Sequence, residues 1–221
     1  MSPHKSPPTS LPTRALPSTH SSITPAGRIR MVALTGGEIH LVRPVFDALS
    51  ERSRWLRFHS GMPWVPERYL AQLARVVPGQ RQVVVAVAAG RPVGHGEWTR
   101  DPLDPLRAEM ALTVVDDLQG QGIGMALAAE LALSASGAGI ARLTCLSLPE
   151  NALVRRWLAR CDATRTPGDA TEFTLEVAAL LQALAAHPRP ELEPSGDLGP
   201  HPANPRASRH TDAEASDTAV A

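Results

Sequence analysis

Between Glu109 and Leu133 the chain reads EMALTVVDDLQGQGIGMALAAELAL, and this stretch leaves little freedom in how it folds. Met110 to Val115 is an apolar run with β-branched Thr113, Val114 and Val115, which predicts a buried strand. Two acidic residues end it, and Gln119-Gly120-Gln121-Gly122-Ile123-Gly124 turns directly into a helix of Met, Ala, Leu and Glu. A glycine-rich turn at a helix start is a physical anion site. The glycines let the backbone approach closely, the first N–H groups lack intrahelical partners, and the helix dipole adds partial positive charge. The glycine spacing excludes the two commonest nucleotide loops. Counted from Gly120 the third glycine of a dinucleotide fingerprint falls on Met125, and counted from Gly122 it falls on Leu127. No Gly-Lys-Ser/Thr follows to make a P-loop.

The rest of the chain predicts a single mixed α/β domain. Arg28 to Leu34 alternates like a half-buried strand, and Thr35-Gly36-Gly37-Glu38 has capping-box spacing for a helix reaching about Leu49, bent at Pro44. Ser50 can cap a second short helix, and Pro66 suits the start of a third over Glu67 to Val77. Val83–Ala89 and Val93–Thr99 form a hairpin broken at Gly90-Arg91-Pro92. Beyond the glycine-loop helix, Ile140–Leu148 is a strand, Ala152–Arg160 a helix, Thr171–Val177 a last strand, and Ala178–Ala186 a short helix. The expected architecture is a mixed central sheet of about six to seven strands flanked by helices. Residues 27–186 are the expected domain. Residues 1–26 and 187–221, rich in Pro, Ser and other polar residues, are expected to be disordered tails.

Gln119, Gly122 and Gly124 at this strand-to-helix junction resemble the coenzyme A pyrophosphate loop of the GNAT superfamily of N-acetyltransferases, Gln/Arg-x-x-Gly-x-Gly/Ala. The order of elements over about Arg28 to Val177 is similar to the GNAT order. Two further stretches narrow the likeness. Leu49-Ser50-Glu51-Arg52-Ser53-Arg54-Trp55-Leu56-Arg57-Phe58, followed by Met62-Pro63, resembles L-S-x-x-S-R-Y-L-R-F of the branch holding bacterial protein-lysine acetyltransferases. Ala108-Glu109-Met110-Ala111 resembles that branch's A-E-x-A at the start of its fourth strand. The regulatory domains often fused to those enzymes have no counterpart in these 221 residues, which leaves regulation open.

The resemblance implies transfer of an acetyl group from acetyl-CoA to a primary amine, a protein lysine or a small molecule, with no metal. A carboxylate must then take the amine's proton, because a free lysine with pKa near 10.4 is almost wholly protonated at pH 7. Glu109 is the candidate base. It lies one strand length before the glycine loop, and in the resembled branch the glutamate at this position is the general base. Glu97 on the neighbouring strand is the reserve, and His95 beside it reads as structural. For the coenzyme, the resemblance implies contacts from Gln119, Gly120, Gln121, Gly122, Ile123, Gly124 and Met125. It also implies the backbone edge near Val114, with the fourth and fifth strands splayed apart, and a backbone N–H there for the oxyanion. Asn151 is both a candidate coenzyme contact and a candidate helix cap. Where many relatives carry a tyrosine acid seven residues after that asparagine, this chain has Leu158. A non-catalytic acetyl-CoA-binding module is the alternative reading.

Composition bounds the partners. Formal net charge is zero, which gives no electrostatic footprint for nucleic acid or an anionic membrane, and no apolar run approaches membrane-spanning length. A cytoplasmic location is expected, since Cys145 and Cys161 make no disulfide scaffold and read as packing residues, and a monomer or homodimer is expected without a sequence feature that chooses between them. Lys5 is the only lysine; arginine carries the remaining positive charge.

Overall fold

The computed structural model describes residues 19–24 and 27–186, with side chains from Ile29 onward. Eight strands form one sheet in the order β1-β2-β3-β4-β5-β6-β8-β7. They are β1 (Thr19–Thr24), β2 (Gly27–Ala33), β3 (Arg81–Ala88), β4 (Arg91–Arg100), β5 (Arg107–Val114), β6 (Arg142–Leu146), β7 (Thr164–Arg165) and β8 (Glu172–Glu176). Neighbours are antiparallel throughout except β5 and β6, whose parallel pairing follows the crossover through a helix. The helices are α1 (Ile39–Asp47), α2 (Glu51–Phe58), α3 (Glu67–Leu73), α4 (Ile123–Gly137), α5 (Ala152–Arg160) and α6 (Val177–Ala185).

Every strand and helix expected from the sequence is present, and the sheet gains two short strands. One is β7, two residues at the far edge. The other, β1, corrects the expectation that residues 1–26 are disordered throughout, because Thr19 to Thr24 pairs antiparallel with β2 from Thr19↔Val32 to Thr24↔Gly27. Composition missed it because an edge strand is held by backbone pairing to its neighbour and needs no apolar pattern of its own. The remainder of the predicted tails, residues 1–18, 25–26 and 187–221, lies outside the described residues.

The first helix starts later than capping-box spacing predicts. Gly36 and Gly37 have φ of +123° and +88°, outside helical space, so the helix begins at Ile39. Half of the box survives, with the Glu38 carboxylate accepting from the Thr35 and Gly36 amides at 3.0 and 2.8 Å. The third helix also ends early, at Leu73.

The core lies on both faces of the sheet, and the two faces are built differently. α4 is apolar around its circumference and packs against β3, β4, β5 and α6. It comes so close to β4 that a Cβ at Gly96 would sit 2.9 Å from Leu131 Cδ1, and one at Gly94 3.0 Å from Leu127 Cδ1. Those two glycines therefore set the depth at which the glycine-loop helix seats. Alternation along β4 turns His95 and Glu97 to the opposite face, under α1, α2 and α3. His95 is 0% exposed, stacks edge-on against Phe46, and its Nε2 donates to the Leu73 carbonyl at 3.0 Å. That geometry fixes the neutral tautomer and bears out a structural reading of the residue.

Burial lowers the His95 pKa to about 4, with Arg57 and Arg81 adding to the effect and Glu97 opposing it. The unfolded chain takes up this proton near pH 6.5 and the folded chain resists it. His95 therefore contributes stability that is fully present above pH 6.5 and is lost as pH falls toward 4. The loss across that window should approach about 3 kcal/mol. Denaturant unfolding at pH 7 and pH 4.5 measures it, and a flat profile would remove the histidine from this role.

Candidate active site

The candidate site forms where β5 and β6 part. Their parallel pairing covers only Arg107↔Arg142, Ala108↔Leu143 and Glu109↔Thr144, while β5 continues to Val114. Beyond Glu109 the edge of β5 facing β6 has no partner strand. The antiparallel ladder with β4 fixes what that edge presents. Val115 N donates to Val93 O at 2.9 Å, so the N–H and C=O groups of Leu112 and Val114 alternate to the opposite side, into the gap. The splay that the resemblance implies is thus a property of this backbone.

At the far end of the gap stands the glycine loop. Val115 leads into a single 3-10 turn, Asp116–Leu118, after which Gly120 and Gly122 adopt φ of +74° and +87°. Only glycine takes such angles at little cost, which explains its presence at both positions. The first helical donor in α4 is Ala126 N, to Gly122 O at 3.0 Å. The N–H groups of Ile123, Gly124 and Met125 are those a helix start leaves without intrahelical partners. A Cβ at Gly124 would meet Leu112 Cδ1 at 3.7 Å and Val114 Cγ2 at 3.9 Å, ordinary contacts that fit a signature allowing Gly or Ala there.

A cavity of about 460 Å³ fills the space between the loop, the open edge of β5, α2 and α5. It brings together seven of the sequence-predicted residues: Val114, Gln119, Gly120, Gly122, Gly124, Met125 and Asn151. Two others stand back from it. Ile123 is buried in the core, and the Gln121 side chain turns to the Asp117 carbonyl at 3.2 Å. Asn151 caps α5, its Oδ1 accepting from Val154 N at 3.3 Å, so one residue holds the helix start and lines the cavity. Leu158 is 0% exposed and belongs to the core. From α5 the cavity receives Trp157, Arg156 and Arg160, the two arginines one helical turn apart, and among the described residues no acidic side chain lines it.

Glu109 lies apart from this cavity, on a second one of about 300 Å³ shared with Thr144, Cys145, Leu146 and Glu172. It sits where pairing with β6 stops, five residues or roughly 17 Å of strand from Val114. Its side chain is exposed. Glu97, the reserve candidate, is in the opposite condition. It is 8% exposed, and its two oxygens are taken by Arg57 at 2.6 Å and by Arg81. With both oxygens engaged by guanidinium groups, this carboxylate has no oxygen free for an incoming amine.

Burial pushes the Cys145 thiol up to about 12, and the charges of Glu109 and Glu172 push it the same way. Cys161 is raised by burial and by Asp162. Neither is a thiolate at neutral pH, as expected of packing residues. Among the described residues no cluster of His, Cys, Asp and Glu could hold a metal ion, and no helix is long and apolar enough to cross a membrane.

Sequence reasoning missed the contributions of Ser53 and Arg57 from α2 and of Arg156, Trp157 and Arg160 from α5. Ser53 and Arg57 belong to the Leu49–Phe58 stretch whose likeness was visible, but nothing local says that it faces the glycine loop. The Arg156/Arg160 spacing was legible as one helix face, without an indication of what that face meets.

No family model matches the chain. Over 81 residues it is 33% identical to the acetyltransferase Pat of Mycolicibacterium smegmatis, a stretch that spans 37% of this chain and 24% of that protein. Among solved structures, the GNAT domain of S. lividans PAT superposes with a TM-score of 0.64 at 20% identity, covering 72% of this chain and 95% of that domain. Mycobacterium smegmatis RimJ, solved with CoA-disulfide, superposes with a TM-score of 0.53 at 14% identity over 77% of this chain and 94% of its own. Taken with the splayed strands and the glycine loop, these likenesses show that the chain has the GNAT fold and, over those 81 residues, is similar to the acetyltransferase Pat.

Proposed function

We propose that this protein transfers the acetyl group of acetyl-CoA to a primary amine, with a protein lysine as the favoured acceptor. The observation that carries the reading is the cavity that joins the start of α4 to the open edge of β5. Its parts match the parts of the cosubstrate. Unpartnered N–H groups at a helix start suit a pyrophosphate, the gap-facing Val114 N–H and Leu112 C=O suit the pantetheine amides, and arginines suit further phosphate. The acetyl group then lies toward the closed end of the gap, near Glu109.

Glu109, exposed and without the arginine clamp of Glu97, takes the proton from the incoming ammonium, directly or through a water. The freed amine attacks the thioester carbonyl, and the gap-facing backbone N–H nearer Glu109, that of Leu112, stabilises the oxyanion. The C–S bond breaks, the nitrogen's second proton passes to solvent, and the thiolate leaves. With an ordinary thiol pKa near 8.5 it needs no tyrosine acid, which answers the burial of Leu158. Attack is direct, in a ternary complex, because neither cysteine is poised to carry the acetyl group.

The missing acid is also the observation that favours the second reading, a module that binds acetyl-CoA without turnover. One experiment separates them. Purified protein is titrated with acetyl-CoA by calorimetry, and free coenzyme A is then followed in the presence of lysine peptides, polyamines and amino sugars. Binding with amine-dependent release supports the enzyme; binding without release from any amine supports the module.

A further inference from the structure

We propose that Ser53 and Asp116 are positioning residues that hold the glycine loop in its binding conformation through the side chain of Gln119. The inference rests on the acetyl-CoA reading above and concerns residues that reading does not use.

The Gln119 amide has two N–H donors, and both are engaged. One meets the Val114 carbonyl at 3.0 Å and the other meets Ser53 Oγ at 3.2 Å. Ser53 Oγ in turn donates to Asp116 Oδ1 at 2.7 Å. Asp116 also accepts from Ser50 Oγ at 2.7 Å and from the Ser50 amide at 2.9 Å, while Ser50 Oγ accepts from Ser53 N to cap α2. An ionised carboxylate can only accept, so the direction of every bond in the chain is fixed. The run Gln119, Ser53, Asp116 is a polarised relay that begins on an anion.

Its consequences bear on the site. Val114 O lies on the open edge of β5, and Gln119 occupies it, so a ligand reading that edge meets the Val114 N–H with its paired oxygen already satisfied. Asp116 and Gln119 bracket the turn that carries the chain from β5 into the loop. Tying both to α2 fixes the turn before any ligand arrives, so less ordering remains to oppose binding. The relay also explains the two serines of the Leu49–Phe58 stretch. Ser50 and Ser53 face the loop, and Ser53 is itself part of the cavity wall.

Coenzyme A binding, read by calorimetry, tests this without reference to turnover. Ser53→Ala should weaken binding about tenfold, and Ser53→Thr, which restores the hydroxyl, should recover most of it. Asp116→Ala should weaken binding by a similar factor. The double variant should lose no more than the worse single one, because members of one relay do not add. Wild-type protein that binds no coenzyme A overturns the acetyl-CoA reading and this inference together. Normal wild-type binding with an unchanged Ser53→Ala, with losses that multiply in the double variant, or with Ser53→Thr as weak as Ser53→Ala, overturns the relay alone. Should Ser53→Ala fail to fold, the Thr variant and Asp116→Ala still decide.

Discussion

Replacing Glu109 by Gln should leave acetyl-CoA binding intact and reduce turnover at pH 7 by about 10² to 10⁴, the range a positioned general base supplies. The side chain is exposed and the change nearly isosteric, so the fold has no reason to respond. The deficit should shrink as pH rises toward the amine's own pKa, near 10.4 for lysine, because the acceptor then deprotonates unaided. Rates from pH 7 to 10 beside a binding titration make the measurement. A loss that is constant with pH, or a loss of binding, would assign Glu109 a structural role. Glu97→Gln supplies the contrast. It leaves Arg57 and Arg81 as partly buried charges lacking their carboxylate, and should act first on the melting temperature.

The second large effect is expected at Gly122. Gly122→Glu places a side chain and a negative charge where phosphate is proposed to sit, and acetyl-CoA binding should weaken at least tenfold, about 1.4 kcal/mol. Because φ there is +87°, any L residue is strained, and Gly122→Asn serves as the control. Asparagine tolerates left-handed backbone better than most residues and brings no charge. Affinity much lower for Glu than for Asn isolates the electrostatic part. Equal, wild-type affinities in both folded variants would remove the loop from the coenzyme site.

Much of this could be read from residues near one another in sequence. The glycine loop was legible because strand, turn and helix are consecutive and each obeys local rules. The Ser50 cap was legible for the same reason, and so was the hairpin, although its turn is Ala89–Gly90, two residues at positive φ, and the expected turn residues Arg91 and Pro92 already belong to β4. What escaped depends on distant pairings. That β5 and β6 hold together for three residue pairs and then separate is a matter of register between segments more than thirty residues apart. The clamp on Glu97 comes from Arg57 and Arg81, 40 and 16 residues away, so two glutamates that look alike in sequence differ in burial and in partners. Asn151 sits between these cases. Its capping role was local and readable, while its place in the cavity wall required the packing of α5.

The short parallel seam between β5 and β6 has a consequence for the length of acyl chain the gap can hold. Pairing resumes at Glu109↔Thr144, and immediately behind it Ala108 and Leu143 are fully buried. An acyl group lying along β5 therefore meets a closed floor, made of backbone hydrogen bonds and core side chains. On the proposed acetyl-CoA reading, a two-carbon acyl group is expected to end above that floor. Each further methylene must either turn out toward Glu109 and the amine's approach or prise open the seam, and the same few hydrogen bonds that close the sheet set the measure of the donor.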